Sequence, residues 1–193
     1  MEPFVRLDAV AMPLLRPNVD TDQIVPARYL QKPRSDNFGD YLFRDVRNDP
    51  AFVLNGEPYR GARIVVAERN FGCGSSREHA VWALHDYGFR AAIAPSFGDI
   101  FAGNALKNGF LPIVLPQATV TSLLADLTRQ PGARLSIDLP RQVVRDMEGR
   151  EHAFEIDAFA KHCLVEGLDE ISFTLTHLPA IEAYEARLAK EMS

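Results

Sequence analysis

The chain predicts an α/β fold with a mainly parallel central sheet, flanking helices and an antiparallel β patch, and three observations carry that expectation. Between Ala62 and Arg129, short β-branched runs alternate with helical patterns, a rhythm that implies parallel strands joined by right-handed crossovers. After Pro131-Gly132 the period shortens to strands separated by Leu139-Pro140 and Glu148-Gly149. With 193 residues and 47% hydrophobic content, the chain is expected to form one domain spanning 1–193 with a full-sized core.

Residues 1–61 are rich in proline, glycine and polar residues and yield two short strand candidates, Phe4–Met12 and Ile24–Val25. The segment 31–55 carries many charges and scattered aromatics and reads as a long, partly ordered loop. Loops of that length are usually functional or mobile. The α/β core and C-terminal helices then occupy 62–193. Ala62–Ala67 is a β-branched run suited to a buried strand. Ser76–Tyr87 places Ala80, Ala83, Leu84 and Tyr87 at helical spacing, and Gly88 ends it as a left-handed C′ residue would. Phe89–Ala94 is the next strand, Phe97–Asn108 a helix, Phe110–Leu115 a strand and Thr119–Arg129 a helix. Leu135–Leu139, Val143–Asp146 and Ala153–Ile156 form the antiparallel patch; Asp157–Val165, with Asp157 as N-cap, and Ala180–Lys190 close the chain as helices.

Composition excludes several partners. Lys plus Arg (21) are outnumbered by Asp plus Glu (26), the net charge is −5, and no basic stripe stands out, which argues against nucleic acid. No apolar run approaches the ~20 residues that span a bilayer, so no membrane partner is expected. The start, Met1-Glu2-Pro3-Phe4-Val5-Arg6, lacks the apolar stretch of a secretory signal. Two cysteines without CxxC spacing fit a reducing cytoplasm, although counting alone leaves a single disulfide open. Two thiols are also too few to hold an iron–sulfur cluster, and the five histidines show no zinc-type spacing.

The most informative run is Asn70-Phe71-Gly72-Cys73-Gly74-Ser75-Ser76-Arg77-Glu78-His79-Ala80. A glycine-rich turn between a strand and a helix presents unpaired N–H groups and the positive end of the helix dipole, so it favours an anion. Arg77 adds a fork suited to a carboxylate. The run lacks the third glycine of a dinucleotide fingerprint, the lysine of a P-loop and the flanking glycines of a nucleophile elbow. A plain helix cap by Ser75 or Ser76 is the bland alternative. Cys73 fits a packing residue better than a nucleophile, though its place near a helix N-terminus keeps the latter open. Upstream, Asn18-Val19-Asp20-Thr21-Asp22 reads either as an Asx turn or as carboxylates that orient a partner's histidine or arginine; as a calcium loop it lacks the required glycine and glutamate.

These two runs resemble the swivel domain of the aconitase superfamily, and more narrowly the separate small subunits of bacterial 3-isopropylmalate dehydratases. The likeness extends through Asp86-Tyr87-Gly88-Phe89, Ala94-Pro95-Ser96-Phe97-Gly98-Asp99-Ile100-Phe101, Asn104, Ile156-Asp157 and Gly167-Leu168-Asp169. It implies a swivel-type β/β/α domain and a cytoplasmic hydro-lyase of leucine biosynthesis, active only with a large subunit, that isomerises 2-isopropylmalate and 3-isopropylmalate through an alkene. It further implies Ser75 as the base, Asp22 as the carboxylate that steadies a histidine of the partner, and Arg77, Ser76 and Gly74 at a substrate carboxylate, with Thr21, Leu30 and Gln31 also at the substrate. The substrate would be a small dicarboxylate, and residues 1–61, with the long loop 31–55, would face the partner or the substrate. No cofactor would be bound by this chain; a [4Fe–4S] cluster is expected in the large subunit. Relatives that hold a tricarboxylate carry an arginine in the loop after a Tyr-Leu pair, whereas Tyr29-Leu30 is followed here by Gln31-Lys32. That suits an isopropyl group, since an uncompensated charge beside alkyl is costly. Arg28 and Arg34 lie near enough that homoaconitate and citraconate-type substrates stay open, as does a non-catalytic anion-binding module.

Overall fold

The computed structural model describes residues 1–34, 37–75 and 77–191. A seven-stranded sheet runs through it in the order β4-β3-β2-β1-β5-β6-β7. The strands are β1 (Arg6–Leu14), β2 (Ile64–Ala67), β3 (Ala91–Ala94), β4 (Leu111–Val114), β5 (Arg134–Asp138), β6 (Val143–Arg145) and β7 (Glu151–Ala153). β1 to β4 pair in parallel and β5 to β7 antiparallel. The joint is β1 itself. Its first half, Arg6 to Val10, pairs antiparallel with β5, and its second half, Ala11 to Leu14, pairs in parallel with β2.

The helices are α1 (Thr21–Ile24), α2 (Glu78–Tyr87), α3 (Asp99–Lys107), α4 (Gln117–Arg129), α5 (Ala158–Glu166), α6 (Glu170–Thr176) and α7 (Leu178–Glu191). Strands of a parallel sheet are covered on both faces, and the alternation along β2 sorts the core accordingly. Val65 and Ala67 face one cluster with Phe38, Phe43, Phe71 and the inner side of α2; Ile64 and Val66 face another with Val120, Leu123 and Leu127 of α4 and Leu164 of α5.

Most elements lie where the sequence pattern puts them. Asp157 caps α5 by accepting from the Ala160 N–H at 3.0 Å, and Gly88 ends α2 in the left-handed region. Four differences have physical reasons. Ile24–Val25 is not a strand: Asp20 accepts from the Gln23 N–H at 2.7 Å and winds the chain into α1 instead. β7 pairs through Glu151–Ala153 rather than Ala153–Ile156, because the turn at Gly149 sets its register against β6. The helix α6 was not expected; Asp169 caps it through the Ser172 N–H. In the segment read as a loop over 31–55, residues 37–55 fold onto the core around short 3-10 turns at Phe38–Tyr41 and Val53–Asn55, with Phe38, Phe43 and Phe52 buried. Charge density concealed those anchors.

Candidate active site

Three connections leave the C-terminal ends of adjacent parallel strands: 15–20 after β1, 68–77 after β2 and 95–98 after β3. In an α/β sheet this is the edge where ligands bind. Short-range pairing locks the connections side by side. Asp20 bridges Cys73 and Phe71 bridges Phe97. The Gly72 N–H donates to the Val19 carbonyl at 2.7 Å, the Thr21 N–H to the Cys73 carbonyl at 3.0 Å, and the Gly98 N–H to the Phe71 carbonyl at 3.0 Å.

Two asparagines allow the bends. Asn18 and Asn70 both have positive φ, which asparagine tolerates better than most residues, and the Asn70 amide donates to the Asn18 side-chain oxygen at 2.9 Å. Gly72 also has positive φ, and a Cβ there would stand 2.3 Å from the Phe101 ring. Gly98 answers a different need: a Cβ there would meet the Gly72 carbonyl oxygen at 2.5 Å.

This framework presents Ser75 exposed on the surface, directly before α2. Ser75 is not a helix cap. The N-cap is Arg77, whose side chain makes no capping bond; the Ala80 N–H donates to the Arg77 carbonyl at 3.2 Å, and the positive end of the α2 dipole lies at this edge. Thr21 is buried, and its hydroxyl donates to the Ser75 carbonyl at 3.0 Å, holding the loop from beneath. The Arg77 guanidinium, 17% exposed, pairs with the half-exposed Asp22 carboxylate. Sequence reasoning placed these two residues in the site but did not foresee that they meet. Gly74 is exposed with positive φ beside the Asp20 Cβ. Leu30 is half-buried and Gln31 exposed, after the short turn Ala27–Tyr29. Ser76 lies outside the described residues.

Cys73 is no activated nucleophile: burial, with the Asp20 carboxylate adding to it, pushes its thiol up from the usual range. Both cysteines are free. Among the described residues no group of three or more His, Cys, Asp or Glu could hold a metal ion, and two separated thiols do not fit an iron–sulfur cluster. No helix among them is long and apolar enough to cross a membrane. The neighbours of Leu30 were the least visible in the sequence. Tyr29 stacks on Tyr41 at 4.3 Å, and Arg34 makes two hydrogen bonds to Asp86, at 2.9 and 3.1 Å. The recurrence of aromatics at 29, 38 and 41 was the one available signal.

The Aconitase C-terminal domain model matches residues 1–118, the stretch that holds all three of these connections, so the fold and its loop edge are of the aconitase class. A second family model, LeuD_N, matches residues 121–158. The chain is 49% identical to the 3-isopropylmalate dehydratase small subunit of Magnetococcus marinus, covering 97% of this chain and 95% of that protein. To the protein of the same description from Methylibium petroleiphilum it is 50% identical, covering 96% and 93%. Its fold matches the crystal structure of a 3-isopropylmalate dehydratase from Methanocaldococcus jannaschii with a TM-score of 0.67 and 26% identity, over 93% of this chain and 99% of that one. The chain belongs to the family of 3-isopropylmalate dehydratase small subunits.

Proposed function

We propose that the chain supplies the Ser75–Arg77–Asp22 half of the active site of a two-subunit hydro-lyase that interconverts 2-isopropylmalate and 3-isopropylmalate through 2-isopropylmaleate. The observation that carries this reading is the meeting of loops from β1, β2 and β3 around an exposed Ser75, with a largely buried arginine two residues on. In the forward direction Ser75, as an alkoxide, takes the proton from C3. The C–H electron pair becomes the C2–C3 double bond, and the C2 hydroxyl departs. Water then adds with the opposite regiochemistry. The N-terminal end of α2 and the Arg77 charge both favour an anion at Ser75; a helix terminus contributes about 0.3–2 kcal/mol to that bias. Arg77 grips a substrate carboxylate, assisted by the Gly74–Ser76 backbone, while Asp22 orients a histidine of the partner. Thr21 fixes the height of Ser75 above the sheet.

Leu30 and Gln31 face the alkyl group. The charges that kept a tricarboxylate substrate open are already engaged: Arg34 by Asp86 and Arg28 by Asp45. A third substrate carboxylate would have to draw one of them from its partner, as the first draws Arg77 from Asp22, whereas an isopropyl group needs neither. The large subunit would carry the [4Fe–4S] cluster, whose Lewis acidity assists hydroxide departure.

The test is Ser75→Ala in the complex reconstituted with the large subunit. Turnover is expected to fall by at least about 1000-fold, the scale for loss of a reacting group, while the subunits still co-purify. Near-normal turnover would remove Ser75 as the base.

A further inference from the structure

The inference concerns a residue outside the reacting set and rests on the proposed function. His79 opens α2 two positions after Arg77. Its ring lies between Phe38 and Trp82, with centroids at 5.4 and 4.5 Å, and Phe38 meets Trp82 edge-on at 5.5 Å. From Phe38 the contacts continue to Tyr41 at 5.6 Å and from Tyr41 to Tyr29 at 4.3 Å. An aromatic series thus connects the start of α2 with the residue before Leu30. The Leu30 backbone interacts with the His79 ring, while burial pushes the ring's pKa below its usual value, leaving it neutral at physiological pH.

The rest of the segment is clamped to the same helix. Arg34 lies over the Trp82 ring at 4.9 Å while pairing with Asp86, and the Phe38 N–H donates to that carboxylate at 3.1 Å. Gly39 passes so close that a Cβ would stand 2.7 Å from the Tyr87 nitrogen. A half-buried histidine in this setting does more than fill space: it touches the Leu30 backbone from the helix that follows the Arg77 turn.

We propose that His79 is a positioning residue for substrate discrimination, setting the place of Leu30 and Gln31 relative to Arg77 and thereby the fit of the substrate's alkyl branch. The reacting groups themselves do not pass through it. Its loss should therefore loosen recognition of the branch and leave the chemical step in place.

The experiment compares wild type, His79→Ala and His79→Gln, each reconstituted with the large subunit, on 2-isopropylmalate and on its 2-methyl counterpart. For His79→Ala the KM for 2-isopropylmalate is expected to rise about tenfold with kcat within about twofold, and the KM for the methyl compound to change less than about threefold. Glutamine keeps an N–H at similar reach and should recover most of the loss. Amide hydrogen exchange in the full chain supplies a readout independent of turnover. His79→Ala should speed exchange at 29–34 and 37–41 while leaving β2 and β3 unchanged. Equal KM effects on both substrates, a fall in kcat alone, or unaltered exchange at 29–41 would overturn the proposal. If the wild-type complex turned over neither compound, the hydro-lyase reading would fall by itself, and exchange would still decide whether His79 holds the segment.

Discussion

At the residue scale, the most consequential finding is that Arg77 and Asp22 meet. Each was expected to serve a different molecule, substrate and partner, yet they pair with each other. Asp22 is half exposed, and an ion pair with one end in solvent contributes only about 0–1 kcal/mol, so little of the fold's stability rests on it. Asp22→Asn is expected to shift the thermal midpoint by no more than about 2 °C while lowering activity of the complex by about 10–100-fold. Differential scanning fluorimetry beside a turnover assay checks both halves. The placement of Ser75 and Arg77 between a strand and a helix was legible in the sequence, from glycines ahead of a helical pattern, while the roles given to Arg77 and Asp22 came from the resemblance. Their pairing was not: 55 positions separate Asp22 from Arg77, and a motif read one run at a time does not reveal which of its charges face each other. Thr21 illustrates the same limit. It sits between two aspartates, yet its side chain is buried and its hydroxyl is committed to the Ser75 carbonyl.

At the element scale, the site depends on loops pressed together with no room for a side chain between them. Gly98 shows this most directly, since the atoms a Cβ would meet, the Gly72 oxygen and the Cys73 Cα, are both backbone and cannot rotate away. Gly98→Ala is therefore expected to cost about 1–3 kcal/mol of stability, seen as a lower urea midpoint at unchanged m-value, and to reduce turnover by displacing the Ser75 turn. Alternation and helix spacing located β2, β3, β4 and α2 to α4 because these elements obey simple periods and all but β2 end within two residues of a glycine or proline. The segment 31–55 resisted the same reading. Its anchors, Phe38, Phe43 and Phe52, follow no period and are embedded among charges, and what holds them down lies on α2 and on the core far along the chain. α6 escaped for a related reason. Ile171 and Leu175 leave much of its apolar surface exposed, so no buried stripe of the usual spacing marks it.

At the scale of the whole molecule, the antiparallel half is held partly by a buried polar cluster. The Asp146 side chain is fully enclosed and accepts hydrogen bonds from Arg150, from the Glu148 and Arg150 N–H groups, and from His152 at 3.0 Å, while Arg150 reaches on to Asp126 of α4 at 3.3 Å. Burial alone would raise its pKa, but the hydrogen bonds from His152 and Arg150 prevail and hold it at about 2, below the unfolded value of 3.8. With the folded value the lower of the two, the stabilisation is complete above the unfolded value and is lost as pH falls toward 2. It is worth about 2 kcal/mol. Chemical denaturation between pH 5 and pH 2 should show Asp146→Asn losing this acid dependence relative to wild type. Both halves of the sheet were visible in the sequence as separate patterns; that one strand joins them was not. β1 finds β2 through one end and β5 through the other, and its Asp8 pairs with Arg134, 126 positions further on. During synthesis the first strand would thus leave the ribosome long before its second neighbour exists. Until then it carries an open, largely apolar edge, which favours slow maturation and dependence on chaperone protection for the nascent chain.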